Sequence, residues 1–330
     1  MVLLVTGATG FIGSNFAEYY LGKYKKDEIL GLTYSGNMKN FENMDKHMKS
    51  RLHFVKGDIT DKKFIDSVFR KYDIDGVVNF AAESHVDRSI KDPLSFIEAN
   101  VYGAVNLMEA SRQNLMKNGE WKEGFKFMQI STDEVYGTVT DGKGFKETDL
   151  LKPNNPYAAS KASAEMFLRS YYVTYNFPGF ISRCSNNYGP YQDGEKLIPL
   201  VINKAMRHLP IPIYGDGQQV RDWLYVKDHC SAIDTIMKHA KFGEVYNIGG
   251  NNERTNIELV KLIIENIREI TGDIEVNESL ISFVEDRKGH DRKYAIDSSK
   301  LQYYLRWKPE MNFEEGIEKT VGYFVDDFSG

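Results

Sequence analysis

Val2-Leu3-Leu4-Val5-Thr6-Gly7-Ala8-Thr9-Gly10-Phe11-Ile12-Gly13 decides how the rest of the chain is read. Four apolar residues in a row make a strand of the kind that is buried on both faces of a parallel sheet. Glycines follow at once, and behind them Phe16, Tyr19 and Tyr20 recur at helical spacing. Glycines between a strand and a helix let the backbone approach a pyrophosphate. The unpaired N–H groups and the dipole at the helix N-terminus favour that anion. Gly7, Gly10 and Gly13 are therefore expected to carry a dinucleotide.

Working outward, strands and helices alternate. Strands are expected at Glu28 to Tyr34, at His53 to Asp58, from Gly76 into a loop, at Phe125 to Ile130 and at Gly179 to Cys184. A helix is expected from Asp92-Pro93 to Leu115, with Pro93 in its first turn, then a polar loop over Asn118 to Gly124, then a helix from Tyr157 to Tyr175. This pattern predicts an α/β fold with a Rossmann-type doubly wound parallel sheet. Beyond residue 190 the elements shorten: a proline-broken strand near Leu209 to Tyr214, helices over Lys227 to Ala240 and Thr255 to Thr271, and a strand over Glu244 to Gly250. Gly272 is the expected C-cap of the second helix, and Asp297 and Asn312 are the expected N-caps of the last two. The expected division is 1–190 for the dinucleotide domain and 191–330 for a smaller, interleaved α/β lobe.

An acid is expected about 20 residues past the glycines to hold the adenosine ribose. Leu30-Gly31-Leu32 occupies that place, and Ser35, Asn37 or Lys39 are the alternatives for a ribose or a 2′-phosphate. The composition bounds the rest. The chain has 330 residues, 42% hydrophobic and 27% charged, which is globular. A net charge of -5 argues against a nucleic-acid surface. Two cysteines without paired spacing, and seven histidines without an HExxH pattern, argue against a disulfide framework or a metal site. The apolar run at the N-terminus is too short to span a membrane, so a cytoplasmic protein is expected.

The chemistry concentrates in Ser131-Thr132-Asp133-Glu134-Val135-Tyr136-Gly137 and Tyr157-Ala158-Ala159-Ser160-Lys161. Tyr157 and Lys161 lie one helical turn apart and face the same way. A phenol of ordinary pKa about 10 needs about 4 kcal/mol of help to act as a base near neutrality. An ammonium at about 4 Å supplies roughly that at an effective dielectric of about 20. Asp133 and Glu134 add a possible acid and base for an elimination, since adjacent carboxyls push one pKa upward.

These motifs together resemble the dTDP-glucose 4,6-dehydratase family, in the extended branch of the short-chain dehydrogenases/reductases. The resemblance runs through Ala81 to Ser89, Ser131 to Gly137, Asn155 to Lys161, Arg183 to Tyr191, Glu195 to Pro199, Arg221 to Tyr225, Tyr246 to Gly250 and Asp286 to Arg292. It implies a tightly bound, recycled NAD and a nucleotide-diphosphate sugar as substrate. Tyr157, with Thr132 and Lys161, would take the proton of the sugar 4-hydroxyl during C4 oxidation. Glu134 would take the C5 proton, and Asp133 would protonate the departing C6 hydroxyl.

The cofactor contacts it implies are Gly7, Gly10, Phe11, Ile12, Gly13, Asp58, Ile59, Phe80, Ala81, Ala82, Ser84, Tyr157, Lys161 and Asn187. The substrate contacts it implies are Ser84, Thr132, Asn186, Lys196, Leu197, Pro212, Tyr214, Arg221, Asn256, Arg287 and His290. It also implies a homodimer built on the helices near 93–115 and 157–175. Two departures stand out: Leu30 for the usual ribose-binding Asp, and Gly194 for a usual proline. They keep NADP, UDP-glucose and UDP-N-acetylglucosamine open beside NAD and dTDP-glucose. A sugar-nucleotide 4-epimerase or decarboxylase is disfavoured by the Asp133-Glu134 pair, and a catalytically silent dinucleotide-sensing regulator by the intact Tyr157 and Lys161.

Overall fold

Alternation along the first strand shows how the core is divided. Leu3 and Val5 point into one apolar cluster and Leu4 into another, on opposite faces of one sheet. The computed structural model describes residues 1–140, 142–286 and 290–329. Its main sheet contains β1 (Val2–Thr6), β2 (Glu28–Thr33), β3 (Leu52–Lys56), β4 (Gly76–Asn79), β5 (Lys126–Thr132) and β6 (Gly179–Cys184). The order is β3-β2-β1-β4-β5-β6, all parallel, and a seventh strand (Val245–Ile248) closes the β6 edge, also parallel. The order reverses between β1 and β4, so a crevice opens at the carboxyl ends of these two strands.

Helices cover both faces, as a parallel sheet requires. One face packs α1 (Phe11–Lys23) and the later helix Val226–His239; Phe16, Leu21, Cys230, Ile233 and Ile236 are buried there. The other face packs α2 (Lys62–Lys71), α3 (Gly103–Leu115) and α4 (Pro156–Tyr175); Ile65, Leu107 and Leu168 are buried there. Past β6 the chain forms a short sheet from β7 (Asn186–Tyr188), β9 (Val220–Tyr225) and a strand at Glu253–Thr255. A parallel pair joins β8 (Ile211–Tyr214) to Ile281–Val284. These elements share their own apolar core, with Ile198, Trp223, Ile263 and Ile317.

Several local expectations hold and several shift. Gly272 ends Asn256–Thr271 in the left-handed region, and Thr255 with Glu258 forms a capping box at its start. Asn312 accepts from the Glu315 amide as expected. The helix Ser299–Leu305 instead takes Ser298 at its N-cap position, with Asp297 one residue earlier accepting from the Ser299 amide. The loop expected over Asn118 to Gly124 starts as a tight hairpin, Met116–Lys117 against Glu120–Trp121. Trp121 packs there on Phe125 and Phe177. The expected helix from Pro93 to Leu115 contains a π-helical segment, Ile97–Tyr102, between Pro93–Phe96 and α3. That widened turn carries buried Asn100, whose side chain bonds the Glu83 amide at 2.8 Å, the Glu83 carbonyl at 2.9 Å and Ser160 Oγ at 2.8 Å.

Two buried polar chains fix the strand ends under the crevice. Thr6 Oγ1 donates to Asn79 Oδ1 at 2.6 Å, and Asn79 Nδ2 donates to Gln129 Oε1 at 2.9 Å. Arg183 on β6 grips Glu165 on α4 with Nη2 to Oε2 at 2.6 Å and Nε to both oxygens at 3.0–3.1 Å. Its Nη1 donates to Tyr136 Oη at 2.7 Å, and Tyr136 donates to Asn247 Oδ1 at 2.8 Å on the seventh strand. Both charges are buried, so the pair is stable only while both members are present. Glu165→Ala is expected to destabilise the protein by about 3–5 kcal/mol, read as a lower denaturation midpoint in guanidinium. A loss below about 1 kcal/mol, the size of an exposed pair, would show that the network does not hold the fold.

Candidate active site

At the crevice, backbone geometry comes first. Gly7 has φ +63°, and a Cβ there would lie 2.9 Å from the Ala81 amide nitrogen. A Cβ on Gly13 would lie 2.3 Å from the Gly7 carbonyl oxygen. Only glycine permits this close turn. Gly10 caps α1 without any side-chain cap, and its first turn carries no acid. The turn is therefore suited to receive a pyrophosphate.

A cleft of about 390 Å³ runs from this turn across the ends of β4, β5 and β6. Gly7, Gly10, Phe11, Ile12 and Gly13 line one end, and Phe80, Ala81, Ala82 and Ser84 the wall beside it. Thr132, Asp133, Glu134, Tyr157 and Lys161 line the floor, and Asn186, Asn187 and Lys196 the far side. Lys196 Nζ donates to the Ser84 carbonyl at 3.0 Å, and Glu195 pairs with His85 at 2.9 Å and Arg88 at 2.8 Å. These contacts tie the loop after β4 to the loop before Leu197–Ala205. A Cβ at Gly194 in that loop would meet nothing within 4 Å.

The ribose end differs from the sequence expectation. Leu30 lies mid-strand, opposite Leu4, with its side chain in the core beneath α2 and α3. The alternation of the strand puts Leu32 there too. The last residue of β2 is Thr33. Its hydroxyl lies 2.8 Å from Thr9 Oγ1 and accepts from the Gly36 amide at 3.0 Å. Lys39 is drawn off to Asp327 at 2.9 Å, and Asn37 accepts from the Lys39 amide. Asp58 accepts from the Thr60 amide just past β3, and Ile59 is buried against Gly103. Neither lines the cleft.

Burial governs the reactive groups. Asp133 is pushed well above the carboxylate range by burial first, then by the Glu134 and Asp222 charges; Arg221 pulls the other way. Its Oδ2 is buried with no partner among the described residues, while Oδ1 accepts from Thr132 at 3.2 Å. Burial thus favours the neutral form of an acid that has one oxygen unspent. The Tyr157 phenol is raised by burial and by Glu134, with the Thr132 hydroxyl pulling it down. The depression expected from Lys161 is therefore outweighed in the protein alone. Lys161 is itself lowered to about 8 by burial. Cys184, between them in the floor, is pushed up to about 12 by burial and stays a thiol. Glu134 Oε2 accepts from Asn155 Nδ2 at 3.0 Å. Asn187 Oδ1 is held at 2.8 Å by His229, whose pKa burial lowers to about 3.

The remaining predicted substrate residues form a second cluster. Tyr214 on β8 packs edge-on against His290, which bonds Asp286 at 2.6 Å. Pro212 shares that strand, and Asn256 opens its helix with its amide on the Gln219 carbonyl. Arg221 Nη2 donates to the Asp291 carbonyl at 3.0 Å, and its guanidinium lies 4.2 Å from the Tyr294 ring centre. Leu197 begins its helix beside Lys196. Arg287 lies outside the described residues. Sequence reading did not single out Cys184, Gln192 or Asp193 as cleft residues, nor Asn155 and Tyr294 as contacts of Glu134. Only Asn155 had a sequence signal, as the residue opening the Tyr157 motif. Among the described residues no cluster of metal ligands occurs, and no helix is long and apolar enough to cross a membrane.

A family model described as GDP-mannose 4,6 dehydratase matches residues 4–320. A dTDP-glucose 4,6-dehydratase of Xanthomonas campestris pv. campestris is 46% identical over 326 residues, 98% of this chain and 92% of that protein. The crystal structure of dTDP-glucose 4,6-dehydratase from Bacillus anthracis in complex with NAD aligns with a TM-score of 0.86 at 42% identity. It covers 100% of this chain and 98% of that one. DesIV, the dTDP-glucose 4,6-dehydratase of Streptomyces venezuelae with NAD and TYD bound, aligns at 0.89 with 38% identity and the same coverage.

The Lys161 burial has a sign that can be tested. Below about pH 8 the lysine is charged in both folded and unfolded states, so the whole cost of burying the charge is present. As pH rises from about 8 toward the ordinary value of 10.5, only the folded protein loses the proton and the cost is relieved. Lys161→Met is therefore expected to be more stable than wild type near neutrality by up to about 3 kcal/mol, with the advantage fading in alkaline buffer. Denaturant unfolding at both pH values checks this. A constant difference, or a less stable variant, would contradict it.

Proposed function

The chain belongs to the NAD-dependent nucleotide-sugar 4,6-dehydratases, and on that footing we propose that it converts dTDP-glucose to dTDP-4-keto-6-deoxyglucose. The observation that carries the reading is the buried Asp133, its pKa raised by burial, next to Glu134 in the same cleft as Tyr157 and Lys161. An oxidation and reduction alone need only the second pair.

The glycine turn, with its uncapped helix end, fits a pyrophosphate; Gly7, Gly10 and Gly13 would hold NAD there, with Ala81 and Ala82 along its length. When bound, NAD would supply a positive charge beside Tyr157, accept hydride from C4 and return it to C6. Tyr157 takes the proton of the 4-hydroxyl, through an oxygen that Thr132 already stabilises. Lys161 supplies charge to that phenolate while it stays protonated, that is, below about pH 8. The resulting ketone acidifies the C5 proton, which Glu134 removes. Asp133 gives its proton to the C6 hydroxyl, which leaves as water. The closing proton goes back to C5 from Glu134.

The nucleotide is assigned to the lobe beyond residue 190, where Arg221 and His290 suit a diphosphate. Val226–His239 and Val245–Ile248 are the exceptions, since both serve the main sheet. The unpaired thiols of Cys184 and Cys230 agree with a cytoplasmic setting. A homodimer is proposed from two exposed apolar stripes. Leu94, Ile97 and Tyr102 lie on the helical run that ends in α3, and Met166, Phe167 and Val173 lie on α4.

Incubated with the protein, dTDP-glucose should lose one water without net reduction of cofactor, as read by mass spectrometry; an unchanged mass would refute the assignment. UDP-glucose and UDP-N-acetylglucosamine, run in parallel, should turn over more slowly. Glu134→Gln should still oxidise C4 but eliminate water about 10²–10⁴-fold more slowly. For assembly, sedimentation should give twice the chain mass for wild type and a monomer for Phe167→Glu. A monomeric wild type excludes the dimer.

A further inference from the structure

Glu134 is the reactive group whose surroundings the main cleft explains least. Two side chains meet its Oε2: Asn155 Nδ2 donates at 3.0 Å, and the Tyr294 hydroxyl oxygen lies 3.5 Å away. Oε1 meets neither. Tyr294 comes from the other lobe and is 5% exposed. Its one hydroxyl hydrogen goes to Asp291 Oδ2 at 2.6 Å, so toward Glu134 the phenol presents its oxygen as a packing contact at 3.5 Å. Asp291 is held in turn by Asn154 Nδ2 at 2.6 Å and by the Thr138 hydroxyl. The ring lies under the Arg221 guanidinium at 4.2 Å, and Arg221 also binds the Asp291 carbonyl. The backbone is fixed too, with the Tyr294 amide on the Val220 carbonyl at 3.2 Å and the Lys293 carbonyl taking the Val139 amide at 3.1 Å.

We propose that Tyr294, anchored by Asp291, is a positioning residue that sets the rotation of the Glu134 carboxyl for proton transfer at C5. This rests on the dehydratase reading. A glutamate carboxyl on a short turn can rotate freely unless one oxygen is engaged. Asn155 bonds Oε2 from the helix that carries Tyr157, and the Tyr294 hydroxyl, held in place by Asp291, packs against the same oxygen from the opposite lobe, so two elements must agree for Oε1 to face the substrate. The step itself balances within the sugar and Glu134. The C5–H bond breaks, the proton joins the carboxylate, and the electron pair moves toward the 4-ketone and then expels the C6 hydroxyl with the Asp133 proton. Tyr294 neither gains nor loses a proton. Burial and the flanking Glu134 and Asp291 carboxylates hold its phenol far above the ordinary value, so it stays a hydroxyl throughout. Arg221 couples the arrangement to the nucleotide lobe through the same ring.

The test separates C4 oxidation from C5 chemistry in single turnovers of the holoenzyme with dTDP-glucose. Bound-cofactor absorbance reports oxidation, and incorporation of solvent deuterium at C5 reports proton transfer. Tyr294→Phe should oxidise C4 within about twofold of wild type and slow C5 exchange and water loss by about ten- to a hundredfold. Reduced cofactor would then accumulate, which a general loss of structure would not produce. Asp291→Asn, which keeps an acceptor for the phenol, should show the same split at smaller size and covers the case in which Tyr294→Phe fails to fold. In a Glu134→Gln background Tyr294→Phe should add nothing. Equal slowing of both steps, or slowing of neither, overturns the role of Tyr294 while leaving the dehydratase reading intact. A wild type that leaves dTDP- and UDP-sugars unchanged overturns both.

Discussion

The buried pairing of Arg183 with Glu165 is the interaction on which the geometry of the cleft floor depends. Each charge alone would be costly inside the protein, and the bidentate contact with the Tyr136 hydroxyl satisfies much of the guanidinium fork. What it joins matters more than what it contributes to stability. β6, α4, the turn 133–136 and the seventh strand all meet at this point. The turn bearing Asp133 and Glu134 and the helix bearing Tyr157 and Lys161 are thereby held to a common frame. Sub-ångström placement of acid and base can rest on such a frame, because a side chain on it has no soft direction in which to relax.

Above that frame one physical effect acts on four groups of the cleft. Burial raises Asp133, Tyr157 and Cys184 and lowers Lys161, so each is moved toward its uncharged form. These four groups therefore respond strongly to any charge that a ligand brings into the cleft. A cationic ring beside Tyr157 and a diphosphate near Arg221 would both be felt strongly, because little water remains to screen them. The same desolvation raises both Asp133 and Tyr157, which favours a proton donor at the first and opposes a base at the second. On the proposed reading, one cavity would thus supply a ready acid and a base that works only with the cofactor present.

Much of this was legible along the chain, and the rest was not, for identifiable reasons. The glycine turn, β1 to β6 and the Tyr157–Lys161 helix follow from local spacing, and local spacing is what period and capping rules read. Val245–Ile248 is legible as a strand, but its insertion beside β6 depends on contacts with residues about sixty positions away. The π-helical segment at Ile97–Tyr102 has no local cause; it follows from the needs of Asn100 against Glu83 and Ser160. Leu30 misleads because counting from the glycines locates a strand end only to within a few residues, and the true end is Thr33. Tyr294 meets Glu134 across 160 residues, and no pattern in a single sequence encodes that meeting.

The Tyr136–Asn247 hydrogen bond spans 111 residues, and this separation bears on how the protein is made. A ribosome releases the chain from its N-terminus, so β1 to β6 emerge long before Asn247. A nascent chain ending at residue 190 has the glycine turn, Asp133, Glu134, Tyr157 and Lys161, yet exposes the bare edge of β6. It also lacks the strand that completes the polar frame behind the catalytic turn. The parallel topology cannot close that edge locally, since each such strand needs a crossover. The polar frame behind Asp133 and Glu134 is therefore complete only after about three-quarters of the 330 residues are out, and until then the half-made sheet has an edge open to pairing with its neighbours.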